Sequence, residues 1–246
     1  MSYSEFADVY DILMKDAEYK KRTAYLWKLF KTHGKTPKLL LDLACGTGEF
    51  SNAFAKKGIE VIGVDMSEDM LSVAREKTAN NGLDILYLCQ KAEELDLYGT
   101  VDGAICCLDS LNHITDIKNL TKAIKKVSLF LEEGRLFIFD LNTEYKHRNI
   151  LGNNTFVMHE EDIYCVWQNR FDEKRLVTQI TLDFFNFNGE NYIRSSETFK
   201  ERAYTKEQIE EILNKAGLEI QAVYDDLSMC APKEDSQRII YVTKKV

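Results

Sequence analysis

The residues best suited to chemistry in this chain cluster around one short segment, Asp42-Leu43-Ala44-Cys45-Gly46-Thr47-Gly48, followed 17 residues after Gly48 by Asp65. Two closely spaced glycines let a backbone pass near a ligand, and a helix starting just after them offers unpaired N–H groups and a positive dipole end. The Asp42 carboxylate beside that turn would repel a pyrophosphate and favour a ligand carrying positive charge. Asp65 ends an apolar run and has the spacing of an acidic residue that accepts from both hydroxyls of a ribose. It could instead cap the next helix, although Ser67 already suits that role. The place of a third dinucleotide-type glycine is held by Ser51, and no Gly-Lys-Ser/Thr phosphate loop occurs.

A second polar set follows the apolar run 101–108: Asp109, Ser110, Asn112 and His113. Polar residues at the carboxyl end of a central parallel strand sit where open sheets bind ligands. They also read as turn chemistry ahead of a helix beginning near Thr115. Asp109 and His113 are candidate bases, and His113 reads equally as a hydrogen-bonding residue of a lid. It has no companion at metal-ligand spacing, and no metal site is expected.

The elements that must position these groups alternate. Residues 39–43, 60–65, 85–89, 101–108 and 135–141 read as buried strands, and 49–57, 68–79 and 115–131 as the helices between them. Earlier, Tyr3, Phe6, Val9, Tyr10 and Leu13 share one helical face, with Ser2 and Glu5 as a capping box, and Tyr25, Leu26, Leu29 and Phe30 share another. The alternation breaks after residue 152. Long β-rich runs at 163–171, 176–187 and 192–204 are separated by Asp172-Glu173-Lys174 and by Asn188-Gly189-Glu190, a hairpin signal. Thr205 and Gln208 then cap a helix stopped by Gly217, and two strands end the chain. The expected domains are 1–152 with 205–246, and an antiparallel insert over 153–204.

The segment 42–48 resembles the glycine-rich first motif of class I S-adenosylmethionine-dependent methyltransferases, D/E-x-G/A-x-G-x-G. The resemblance implies an α/β fold: a doubly wound, mostly parallel seven-stranded Rossmann-like sheet, with the insert as a β-lid of the small-molecule type. It implies cofactor contacts from Asp42, Ala44, Gly46, Gly48 and Asp65, with Met66 against the adenine face. Gln90-Lys91-Ala92-Glu93 resembles the adenine-binding segment, which brings in Ala92 and Glu93, although Lys91 stands where an aspartate is common. Leu108, Asp109 and Ser110 would face the methyl-bearing sulfur. Phe6-Ala7-Asp8-Val9-Tyr10-Asp11 resembles an N-terminal segment that closes over the cofactor, making Tyr10 a third candidate base. The Asn/Asp-Pro-Pro-aromatic motif of base-methylating relatives is missing, since no proline occurs between 37 and 232.

Bulk properties set limits. The formal net charge of −8 disfavours nucleic acid as partner, and Lys122, Lys125 and Lys126 read as a solvated helix face. No run approaches the ~18 apolar residues of a membrane span, and the start lacks a secretory pattern. Six cysteines without a Cys-x-x-Cys pair suit reduced thiols in the cytoplasm. The expected function is methyl transfer from S-adenosylmethionine to a small-molecule acceptor by in-line displacement. An NAD(P)-dependent oxidoreductase and a non-catalytic cofactor sensor are the alternatives, and the oligomeric state is not legible.

Overall fold

The structure, a computed structural model, describes residues 17–160 and 162–246. The helical pattern from Tyr3, its Ser2/Glu5 cap and Tyr10 lie outside the described residues. In chain order the elements are α1 (Tyr19–His33), β1 (Leu39–Leu43), α2 (Glu49–Ala55), β2 (Glu60–Asp65), α3 (Glu68–Asn80), β3 (Leu86–Cys89), β4 (Gly103–Cys106), α4 (Ile117–Phe130) and β5 (Leu136–Asn142). Then come β6 (Thr155–Glu160), β7 (Ile163–Asp172), β8 (Val177–Phe187), β9 (Tyr192–Arg202), α5 (Lys206–Lys215), β10 (Leu218–Asp225) and β11 (Arg238–Lys245).

Seven strands form one sheet in the order β10-β11-β5-β4-β1-β2-β3. Only β11 runs against its neighbours, pairing antiparallel with both β10 and β5. All seven residues of β5 and all four of β4 are buried, as expected of strands covered on both faces. Side-chain alternation divides the core. Leu41, Leu43, Phe137 and Phe139 face a layer holding α4 and α5, whereas Leu40, Ile138 and Ile240 face Leu26, Leu29 and Phe30 of α1 and Phe54 of α2. Leu120, Ala123, Ile124 and Val127 form the buried stripe of α4, and each large side chain so buried contributes about 1.5–3 kcal/mol. Caps set the helix starts: Ser67 for α3, Asp116 for α4, and the reciprocal Thr205/Gln208 pair for α5.

Three sequence expectations shift. The run 101–108 yields only a four-residue strand, because Cys107 leads into a turn in which Leu108 and Asp109 adopt φ of 57° and 55°. The helix expected over 49–57 ends at Ala55, and Lys56 caps it. Within 153–204 there are four strands rather than three runs, since Thr155–Glu160 adds an edge to β7 in a separate sheet ordered β6-β7-β8-β9. The Asn188-Gly189 hairpin forms, with the Asn188 side-chain oxygen accepting from the backbone N–H groups of Glu190 and Asn191. This second sheet buries Cys165, Ile180, Leu182 and Phe184 on one face. Among the described residues, no helix is long and apolar enough to cross a membrane.

Candidate functional site

The chain leaves β1 to build β2 and β3 on one side, then returns to build β4 and β5 on the other. The crevice where this order reverses opens at the carboxyl ends of β1, β2 and β4. Leu43 pairs with Val64, so Asp42 and Asp65 stand at the same end of the sheet. A cavity of about 210 Å³ opens there, and its walls include Ala44, Gly46, Asp65, Met66, Ala92, Glu93, Leu108, Ser110 and His113. Asp42, Gly48 and Asp109 are not on those walls.

Asp65 organises the near wall. One carboxylate oxygen accepts from the Gly46 N–H at 2.8 Å and the other from the Ser67 N–H at 2.9 Å. Burial raises its carboxyl above the usual range, even against the backbone N–H groups of Ser67, Gly46 and Met66. Ser67 itself caps α3, accepting from the Met70 N–H at 3.2 Å, so capping does not explain Asp65. Gly46 has φ +53°, and a Cβ built on it would meet no atom within 4 Å. A backbone edge that open, beside a carboxylate, leaves room for a ligand to approach the main chain closely.

Asp42 departs from the charge argument drawn from the sequence. It lies beneath the glycine turn, 1% exposed, and accepts from the Ser51 hydroxyl at 2.6 Å. Burial pushes its carboxyl up to about 7 against the opposing Ser51 hydrogen bond. Ser51, which replaces the third glycine, therefore supplies the hydroxyl that makes Asp42 tolerable there. Gly48 is a packing glycine: an added Cβ would lie 2.6 Å from the Tyr87 hydroxyl and 3.0 Å from Ala74.

The far wall is a strained turn held by residues the sequence reading missed. Leu108 and Asp109 both sit in the left-handed region. The Asp140 carboxylate accepts from their backbone N–H groups at 2.7 and 2.6 Å, and Arg238 donates to Asp140 and to Asp109 at 2.5 Å each. Burial pushes the Asp109 carboxyl up, but the charges of Arg238, Lys146 and His113, with the Arg238 hydrogen bond, outweigh it and hold the group well below the usual carboxylate range. The signal for Asp140 was present, as a carboxylate inside a fully buried strand. Arg238, at the head of the last strand, carried none.

Asn112, fully buried, donates to the backbone carbonyls of Asn142 and Arg202 and accepts from the Asn142 N–H, tying the wall to the β6–β9 sheet. A smaller hollow of about 30 Å³ shares Ala44, Gly46, Leu108 and Ser110 and extends to Tyr19 and Phe50, two further residues not singled out from sequence. The fold also brings polar atoms of Asp109, His113 and Glu201 within 4.8 Å of one another, although Glu201 is far away in the chain.

The apolar faces of Met66 and Leu108, the Asp65 carboxylate and the open Gly46 edge fit an adenosine-bearing cofactor. Comparison with known proteins gives the same direction. The methyltransferase-domain family model matches residues 40–134. YqeM of Bacillus subtilis (strain 168), whose name assigns it provisionally to the methyltransferases, is 34% identical over 100% of this chain and 98% of its own length. The crystal structure of an S-adenosylmethionine-dependent methyltransferase from Clostridium acetobutylicum ATCC 824 superposes with a TM-score of 0.91 at 36% identity, covering 99% of this chain and 98% of that one. The CcbJ methyltransferase of Streptomyces caelestis shares the fold at a TM-score of 0.84 and 22% identity, over 100% of this chain and 98% of its own. These relatives decide between methyl transfer and the oxidoreductase alternative: the chain belongs to the class I S-adenosylmethionine-dependent methyltransferases, enzymes that draw their methyl group from that cofactor.

Proposed function

We propose that the acceptor is a small molecule, methylated by in-line displacement in the space between the cofactor cavity and the β6–β9 sheet. The observation that carries this is the seating of that sheet on the cavity wall. Phe199 of β9 stacks on His113 at 5.1 Å, and Asn112 donates to the Arg202 carbonyl at 2.9 Å. A lid of this kind encloses a compact acceptor and excludes water, and the chain's net charge of −8 offers little to a polyanion.

When bound, S-adenosylmethionine supplies a methyl carbon on a positively charged sulfur that departs as a neutral thioether. Asp65 is the ribose acceptor in this reading, Met66 packs on the adenine face, and Ala92 and Glu93 flank the ring. Gly46 allows the close approach, and Leu108 and Ser110 border the reacting end. Alignment of the reactants can supply much of the rate, on the order of 7–11 kcal/mol in favourable model systems. Six free cysteines, four of them buried, support placing the enzyme in the reducing cytoplasm.

Calorimetry with S-adenosylmethionine on wild type and Asp65→Ala, followed by assay of S-adenosylhomocysteine formation with small amines, alcohols and thiols, tests the reading. Micromolar binding weakened roughly 10- to 100-fold by the substitution is expected, as loss of charge-assisted hydrogen bonds worth about 1.5–3 kcal/mol. A wild type that transfers methyl groups only to a macromolecule would refute the small-molecule acceptor.

A further inference from the structure

Glu201 of β9 sits between two histidines that belong to the other sheet's loops. Its Oε1 lies 3.7 Å from Nε2 of His113, and its Oε2 lies 3.8 Å from Nε2 of His147. The Asn142 side chain donates to Oε2 at 3.4 Å. His147 is wholly buried; its Nδ1 is bonded to the Thr178 hydroxyl at 2.8 Å, and its Nε2 has no hydrogen-bond partner. An unpartnered ring nitrogen in so buried a place, aimed at a carboxylate just beyond hydrogen-bond range, marks a polar centre that packing alone leaves incomplete. His113, by contrast, reaches the cofactor cavity and is 42% exposed.

We propose that His113 and Glu201 form a proton-accepting pair for a protic acceptor, an amine or a hydroxyl, with His113 taking the proton and Glu201, carried in by the lid, as its positioning residue. This rests on the methyl-transfer reading above and goes beyond it by naming the acceptor's chemistry. A carboxylate facing Nε2 favours the ring tautomer with its proton there, which leaves Nδ1 as the basic nitrogen. The acceptor's lone pair forms the bond to the methyl carbon while the carbon–sulfur bond breaks, its electron pair remaining on sulfur. The acceptor's N–H or O–H proton passes to Nδ1, and Glu201 balances the resulting imidazolium.

The surrounding charges favour this use over a divalent cation. Asp109 is already paired with Arg238 at 2.5 Å, and Lys146 donates to the Asn142 side-chain oxygen at 3.0 Å, so a metal ion would enter beside two cations. His113 and Glu201 are faced by Asp65 from β2, Asp109 from the β4–α4 loop, and Lys146 and His147 from the turn after β5. Burial, then the Asp109 charge, raises the Glu201 carboxyl above the usual range, while the charges of His113 and Lys146 oppose the rise. The charges of these neighbours thus set the Glu201 carboxyl, and a proton arriving on His113 favours its ionised form.

The full-length protein serves as the test. The Glu201 carboxyl carbon, followed by NMR as pH is varied, is expected to titrate at higher pH in His113→Gln than in wild type, because a charge favouring its ionised form is gone. An unmoved midpoint would overturn the pairing. With S-adenosylmethionine bound, transfer is then compared for two probes: benzylamine, which must shed a proton, and 4-nitrothiophenol, which arrives ionised. Glu201→Gln is expected to slow transfer to benzylamine at least tenfold and move its acidic limb to lower pH, with partial recovery in Glu201→Asp, while the thiol rate stays within twofold. Equal losses with both probes would assign Glu201 a structural role instead. Failure of the methyl-transfer reading would appear separately, as absence of cofactor binding by calorimetry.

Discussion

Arg238, at the start of the final strand, grips Asp109 and Asp140 at 2.5 Å each, and Asp140 in turn holds the backbone of Leu108 and Asp109. One guanidinium thus bridges the buried Asp140 and the partly buried Asp109 and keeps a strained turn on the cavity wall. Removing it strips both carboxylates of this hydrogen-bonded cation and leaves Asp109 only the charges of Lys146 and His113. Arg238→Met is expected to cost about 3–5 kcal/mol in urea unfolding and to weaken S-adenosylmethionine in parallel. Arg238→Lys is expected to recover less than half of that loss, since an ammonium lacks the planar fork.

The two glycines of the turn respond differently. At Gly46 an added Cβ meets open space, so Gly46→Ala costs only the left-handed backbone, about 1–2 kcal/mol, but adds a methyl group to the cavity edge proposed to hold the cofactor. Cofactor affinity is expected to fall more than tenfold. At Gly48 the new atom strikes the Tyr87 hydroxyl, so Gly48→Ala adds overpacking and is expected to cost about 2–5 kcal/mol. Partial recovery of stability in the double variant with Tyr87→Phe, read in the same urea titration, checks the cause.

Asp42 makes stability depend on pH. Its folded carboxyl titrates at about 7, whereas an unfolded aspartate titrates near ~3.9, so between these values the folded protein binds more protons. The Asp42 contribution is therefore favourable below about 4 and is lost as pH rises toward about 7. Asp42→Asn keeps an oxygen for Ser51 and removes this dependence. Relative to wild type, the variant is expected to gain on the order of a few kcal/mol between pH 4.5 and 7.5, at about 1.4 kcal/mol per pKa unit. Parallel urea curves at the two pH values, with an unchanged difference between the proteins, would refute it.

Asn112 links β5, the cavity wall and the β6–β9 sheet through three backbone partners. Asn112→Ala leaves buried backbone groups unpaired and is expected to cost about 2–5 kcal/mol. Loss of protection in hydrogen exchange, larger at residues 199–202 of β9 than in α4, would identify the link to the β6–β9 sheet as the part broken.

Much of this molecule is legible in local sequence. Period-two and period-3.6 patterns, glycines and caps lie within a few residues of the structure they specify. The strands β1, β2 and β5, the α4 stripe, the Thr205 cap and the Asn188-Gly189 hairpin all follow from such short spacings. So does the placement of Gly46 and Asp65 at one end of the sheet, because a parallel strand–helix–strand unit returns to the same edge.

The partners of the charged groups follow no such rule. Asp109 looked free beside its turn until the sheet order brought in Arg238, 129 residues away. Asp42 looked like a charge offered to a ligand until α2 set the Ser51 hydroxyl on it. That the β-rich runs after residue 152 would form an antiparallel sheet was readable, but not that this sheet would carry Glu201 to His113. Sequence by itself determined most of the described elements, their order and the glycine turn, because backbone hydrogen bonding and hydrophobic periodicity act over one or two turns of chain. Only tertiary structure decided which carboxylates are paired, buried or left to do chemistry, because Coulomb and desolvation energies depend on distances through space that strand order sets.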